Sequence, residues 1–147
     1  MINLTYAIKV NRHEKARFDH FIGKDMKIIL AEDDRDVRYA IALFLRKRGF
    51  TVVEAVNGDD PVISEEIKDT DVLVTDILMP DSDGIELLIK TRESYPDLPV
   101  IAYSGGGRIS SHDYLETAAT LGASATFRKP FDENMLAEAI EAAAASC

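Results

Sequence analysis

The sequence predicts an α/β fold, a doubly wound five-stranded parallel sheet with helices on both faces. Three observations carry this reading. Five short apolar runs recur after Met26, segments of helical period lie between them in strict alternation, and the runs are apolar throughout instead of alternating with polar residues. Strands covered on both faces have that uniform character, and parallel neighbours need a crossover of the kind the intervening segments supply.

The runs are "KIILA" (27–31), "TVVEA" (51–55), "DVLVT" (71–75), "PVIAYS" (99–104) and "SATFR" (124–128). After the first, "DVRYAIALFLRKRGF" sets Val37, Ile41, Phe44 and Leu45 at the three- and four-residue spacing of one helical face. Arg46, Lys47 and Arg48 suit the end of that helix, and Gly49 can stop it. "NGDDPVISEEIK" offers Asp59 or Asp60 as a cap with Pro61 in the first turn. "DGIELLIKTRESYP" puts Ile85, Leu88 and Ile89 on one side and ends before Pro96. "SSHDYLETAATLGA" stops at Gly122, and "DENMLAEAIEAAAA" opens on the cap Asp132 and is rich in alanine, the strongest helix former.

A chain of 147 residues fits one domain with a sizeable core. Residues 1–25 stand apart, with five Lys/Arg against three Asp/Glu, while 12 basic and 23 acidic residues leave the remainder at −11. We read 1–25 as an N-terminal extension, disordered or non-native, with an extra helix or strand packed on the domain as the alternative; 26–147 form the domain itself. A net charge of −9 argues against direct, sequence-independent binding to nucleic acid phosphates. The single Cys147 cannot form an internal disulfide; with no signal peptide recognised, the expected location is the cytoplasm. No apolar run approaches the ~20 residues that cross a bilayer, so no membrane insertion is expected.

In open parallel sheets ligands bind off the carboxyl ends of the strands. The first strand leads there into Glu32, Asp33 and Asp34, the third ends in Asp76, the fourth in Ser104, and the fifth runs into Lys129. Two carboxylates at ~4 Å repel by about 4 kcal/mol at an effective dielectric near 20, so the cluster calls for a divalent cation or for raised pKa values. Oxygen donors favour magnesium (or manganese), and the cysteines or spaced histidine pair of a zinc site are missing. Lys129 and Ser104 offer what a phosphoryl group needs on its oxygens, leaving Asp76 as a carboxylate nucleophile.

These residues carry a resemblance. From Met26 to Cys147 the sequence resembles the receiver domain of two-component response regulators, through "LAEDD", "DILMPDSDG", "YSG" and "RKPF" in that order at the ends of strands one, three, four and five. The resemblance implies the flavodoxin-like strand order 2-1-3-4-5, an arrangement known for this fold. It further implies Asp76 as phosphoacceptor, and Glu32 and Asp33 as the acid pair. In that scheme Asp33 ligates the metal directly, Glu32 acts mostly through water, and the Leu78 carbonyl is a further ligand. Asp34 is a rival for either acid's role. Ser104 and Lys129 would meet the phosphoryl oxygens, with a cis bond common before Pro130.

Two departures stand out. The family often has an aromatic residue three before the lysine, where this chain has Thr126, and Phe127 should point to the opposite face of its strand. Gly105, Gly106 and Gly107 lower the cost of unusual backbone angles, and a loop that shifts on phosphorylation is expected there. They lack the Lys-Ser/Thr ending of a nucleotide loop, so nucleotide binding is rejected. Asp81 and Asp83 read as turn and cap residues, Gly84 as a backbone requirement, and His13, His20 and His112 as scattered residues without a phosphorelay or metal role.

The expected function is that of a stand-alone response regulator. It takes phosphoryl from a sensor histidine kinase or histidine phosphotransfer protein and signals to a downstream protein target through a changed surface. A receiver fragment of a larger kinase or regulator, or a phosphate sink, is the alternative. A phosphatase of the haloacid dehalogenase type also uses a strand-end Asp with magnesium but wants a second Asp two residues on, where this chain has Leu78.

Overall fold

The computed structural model describes residues 26–79, 83–105 and 111–146. Its elements alternate as β1 (Lys27–Ala31), α1 (Arg35–Lys47), β2 (Thr51–Ala55), α2 (Pro61–Glu66) with a 3-10 turn (Ile67–Asp69), β3 (Val72–Asp76), α3 (Gly84–Ser94), β4 (Val100–Ser104), α4 (Ser111–Thr120), β5 (Ala125–Arg128) and α5 (Glu133–Ala145). All pairings are parallel and the strand order is β2-β1-β3-β4-β5. The central strands β3 and β4 are buried at every residue, which explains their lack of polar alternation. Among the described residues no helix is long and apolar enough to cross a membrane.

Capping follows the local sequence. Asp34 accepts from the N–H groups of Asp36 and Val37, Asp60 from Val62, Asp83 from Ile85 and Asp132 from Asn134. Asp60 rather than Asp59 caps α2, with Pro61 at its start. Gly49 ends the α1 region with φ of +97°, a conformation that other residues adopt at a cost.

Each face of the sheet carries its own core. On one, Ile28, Leu30, Val74, Ile101 and Tyr103 pack against Ile41 and Leu45 of α1 and Leu136 and Ile140 of α5. On the other, Ile29, Leu73, Val100 and Ala102 meet Ile63 of α2, Leu87 and Leu88 of α3 and Ala118 of α4.

The α3 face differs from the spacing-based expectation. Gly84, Leu87, Leu88 and Thr91 are buried, Ile85 is half-buried and Ile89 is exposed. The helix is turned by its first residue: a Cβ on Gly84 would clash with the Asp76 carbonyl oxygen and lie 2.6 Å from the Ile77 Cα. Only a bare backbone approaches β3 so closely, and the Gly84 N–H bonds the Ile77 carbonyl at 3.0 Å. Gly84→Ala is therefore expected to cost about 2–4 kcal/mol, read as a lower midpoint in urea unfolding. A midpoint equal to the parent's would refute this close approach.

Candidate functional site

The strand order brings the ends of β1, β3, β4 and β5 side by side. Beyond β1 the chain keeps the ladder for one residue more, the Glu32 N–H bonding the Ala55 carbonyl at 3.0 Å. Glu32 is fully buried, and a buried carboxylate needs partners. Its Oε1 accepts from Lys129 Nζ at 2.8 Å and from the Tyr103 hydroxyl at 3.0 Å, and its Oε2 accepts from the Asp34 N–H at 3.2 Å. Arg38 secures the same turn, donating to the Glu32 carbonyl at 2.7 Å while its Nε lies 3.4 Å from Glu54.

Asp34 uses its Oδ1 to cap α1. Asp34, the rival ligand, thus serves as the cap of α1 and is not among the three acids whose carboxylate oxygens gather at the site. Asp33 is exposed, and its carboxylate oxygen joins those of Glu32 and Asp76 within 4.8 Å of one another. Three hard oxygen donors at that separation suit magnesium or manganese, so the residues fit the implied metal.

Asp76 closes β3 and is 5% exposed. Its Oδ1 accepts from the Leu78 N–H at 3.0 Å and its Oδ2 from Lys129 Nζ at 3.2 Å. Lys129 follows β5, its N–H tied to the Ser104 carbonyl at 2.8 Å, and the Lys129–Pro130 bond is cis. Its ammonium thus stands between Glu32 and Asp76 and 4.9 Å from the centre of the Tyr103 ring. Ser104 is fully buried at the end of β4, but its hydroxyl turns to the Gly105 carbonyl at 3.3 Å. Among the described residues no hydrogen bond joins the Ser104 hydroxyl to Asp76 or to the Lys129 ammonium.

The charges perturb one another. Burial raises the Asp76 carboxyl above its ordinary value and outweighs the Lys129 charge and the Leu78 hydrogen bond, which lower it. Burial also raises Asp33, helped by its contact with Glu32 and the Glu32 charge. For Lys129 burial works to lower the value, yet the hydrogen bond with Glu32 and the charges of Asp76 and Glu32 hold it above the usual one. Burial, then the charge of Glu32, pushes the Tyr103 phenol far up, so it remains a donor.

Tyr103 and Arg38 were not read from the sequence as site residues. A signal for Tyr103 existed: a phenol within a wholly buried strand must find a partner for its hydroxyl. Phe127 and Tyr103 lie in register on the α1/α5 face, whereas Thr126 pairs with Ala102 on the other. Residues 1–25, Asp81, Gly106, Gly107 and Cys147 lie outside the described residues, as does the side chain of His112. The expected loop shift at Gly105–Gly107 therefore falls largely outside them.

A family model described as the response regulator receiver domain matches residues 28–141. Among curated relatives, the sensor kinase CckA of Brucella abortus is 36% identical over 137 residues, covering 92% of this chain and 14% of the kinase. The receiver protein CpdR of the same species is 38% identical over 79 residues, covering 54% of this chain and 66% of CpdR. The chain thus spans less than two thirds of these relatives' length. Among solved structures, FixJ-N is 30% identical with a TM-score of 0.70, covering 82% of this chain and 94% of that one. The NtrX receiver domain from Brucella abortus is 27% identical with a TM-score of 0.73, covering 82% and 99%.

A raised carboxyl pKa means that the folded protein holds the Asp76 proton to higher pH than the unfolded chain does. The stability from this group is present below the unfolded value and lost as pH rises through the folded one. Without a divalent cation, Asp76→Asn should raise the melting temperature at neutral pH by about 2–6 °C. The gain should shrink as the pH is lowered toward the ordinary value of 3.8. Melting curves across that range measure it, and a gain independent of pH would contradict the assignment.

Proposed function

The chain belongs to the response regulator receiver domain family, and from that premise we propose that it accepts a phosphoryl group on Asp76 from the phosphohistidine of a sensor histidine kinase or histidine phosphotransfer protein. Receiver domains are signalling phosphoacceptors rather than conventional enzymes, and they bind magnesium through an acidic pocket. One observation carries the residue assignment. A buried strand-end carboxylate, Asp76, has an ammonium 3.2 Å away and two further carboxylates with an oxygen within 4.8 Å.

In the proposed transfer an Asp76 oxygen attacks phosphorus as the bond from phosphorus to the histidine nitrogen breaks, and the imidazole keeps that electron pair and takes up a proton. Lys129 opposes the charge on the phosphoryl oxygens, and the Ser104 hydroxyl turns from the Gly105 carbonyl to hydrogen-bond one of them. Asp33, Asp76 and the Leu78 carbonyl would hold magnesium or manganese directly. Glu32 would act through water, since its Oε1 is already engaged by Lys129 and Tyr103. When bound, the cation neutralises phosphoryl charge. Slow attack of water on phosphorus later releases phosphate.

Phosphorylation adds roughly two negative charges, draws Lys129 and Ser104 toward them and biases an existing conformational equilibrium. The altered surface of α4, β5 and α5 would then be read by a downstream protein target. The matches to small shares of CckA and of the sensor kinase/phosphatase CqsS of Vibrio cholerae, of which the chain spans 14% and 17%, favour a second form of the same chemistry: a receiver acting within a sensor kinase. Phosphotransfer profiling against the histidine kinases of its own genome distinguishes the two. Against a haloacid dehalogenase mechanism, Leu78 offers no acid for a leaving group, and steady turnover of phosphate esters would overturn the reading.

Asp76→Asn is expected to abolish acid-labile labelling by acetyl phosphate while the circular dichroism spectrum stays native; persistent label at another residue would defeat the assignment. Asp33→Ala should weaken magnesium binding by about tenfold or more, and Glu32→Ala by less. Unaltered metal titrations in both variants would remove these acids from the ligand set.

A further inference from the structure

β4 delivers two polar side chains to the site edge, and they leave the strand on opposite faces. Ser104 lies at the end expected of it. Tyr103, one residue earlier, is fully buried on the α1/α5 face, with its ring 5.3 Å from that of Phe131 and its hydroxyl 3.0 Å from Glu32 Oε1. The same Oε1 holds Lys129 Nζ at 2.8 Å, and Nζ lies 4.9 Å from the centre of the Tyr103 ring. One oxygen of a buried carboxylate is therefore shared between a phenol and the ammonium that must also serve Asp76.

We propose that Tyr103 is a positioning residue for phosphoryl transfer: by donating to Glu32 Oε1, it limits how tightly Glu32 retains Lys129 and so leaves the ammonium able to move to an incoming phosphoryl oxygen. The proposal rests on the phosphoacceptor reading above. Two donors on one oxygen divide its negative charge. Without the phenol, Lys129 becomes the principal donor to Oε1 of a carboxylate that has no solvent exposure of its own, and the pair tightens. A lysine held more firmly by Glu32 meets the phosphoryl group later and less often. Position 126, where related receivers often place an aromatic, is Thr126 on the opposite face, so the ring bordering these charges comes from a different strand and a different side of the sheet.

The test uses the full chain with acetyl phosphate and saturating magnesium, comparing the parent protein, Tyr103→Phe, Glu32→Gln and the double variant. Tyr103→Phe keeps the ring and its contact with Phe131 and removes only the hydroxyl. Its labelling rate on Asp76 should fall by about fivefold or more. In the Glu32→Gln background the same substitution should have little further effect, because the hydroxyl acts through the Glu32 charge. A rate equal to the parent's, or a full additional loss in the double variant, overturns the proposal. So that folding of the variant does not decide the matter, the Tyr103 ring resonances of the unmodified protein are followed by NMR as beryllofluoride and magnesium are added. They should shift; unmoved resonances in protein whose Asp76 is occupied overturn the proposal. If the parent protein takes no label at all, the phosphoacceptor reading itself fails; a labelled parent matched by Tyr103→Phe defeats the positioning role alone.

Discussion

Glu32 and Asp76 are carboxylates with almost no access to water, and Lys129 Nζ stands 2.8 and 3.2 Å from them. One ammonium cannot balance two buried acids with Asp33 close by, so the cluster retains an excess of negative charge that the fold must hold in place. Raised carboxyl values at Asp76 and Asp33 express the same tension. The rest of the site makes sense as relief of that load. Asp34 and Leu78 turn backbone N–H groups onto carboxylate oxygens, Tyr103 adds a phenol, and the three acids leave room for a divalent cation to be shared.

The scaffold concentrates its rigidity where this load falls. β3 is buried throughout and carries Asp76 as its last residue, with α3 beginning against its backbone at Gly84. The two cores differ in what they bring to the site edge. The α1/α5 side supplies Tyr103 backed by Phe131, and Phe131 itself packs on Phe127 at 5.7 Å. The α3/α4 side brings the small Ala31 and Ala102 together with Ile77, the residue after Asp76. Asp76 thus stands between an aromatic cluster on one face and an aliphatic core on the other. That asymmetry follows from which residues alternate along β4 and β5.

Much of this was legible in the residues. The acid, hydroxyl and lysine positions stood at the ends of apolar runs, and Asp83 and Asp132 announced themselves as caps by preceding helical periods. Ile89 illustrates where periodicity falls short. Its spacing from Ile85 fits a buried stripe, yet the approach of Gly84 to β3 turns the helix so that Leu87 and Thr91 are buried instead. Asp34 shows the same limit from the other direction: local pattern leaves it a rival to Glu32 and Asp33, and its capping of α1 is visible only in the structure.

The sequence by itself determined the alternation of strands and helices, the caps, and which residue types arrive at the carboxyl edge, because these depend on neighbours a few positions apart. Only the tertiary structure decided that Tyr103 and Lys129 share one oxygen of Glu32, contacts that span 71 and 97 residues of chain. Partners so distant meet through the parallel register of β1, β3, β4 and β5 and the face each side chain takes, and no local pattern encodes that register.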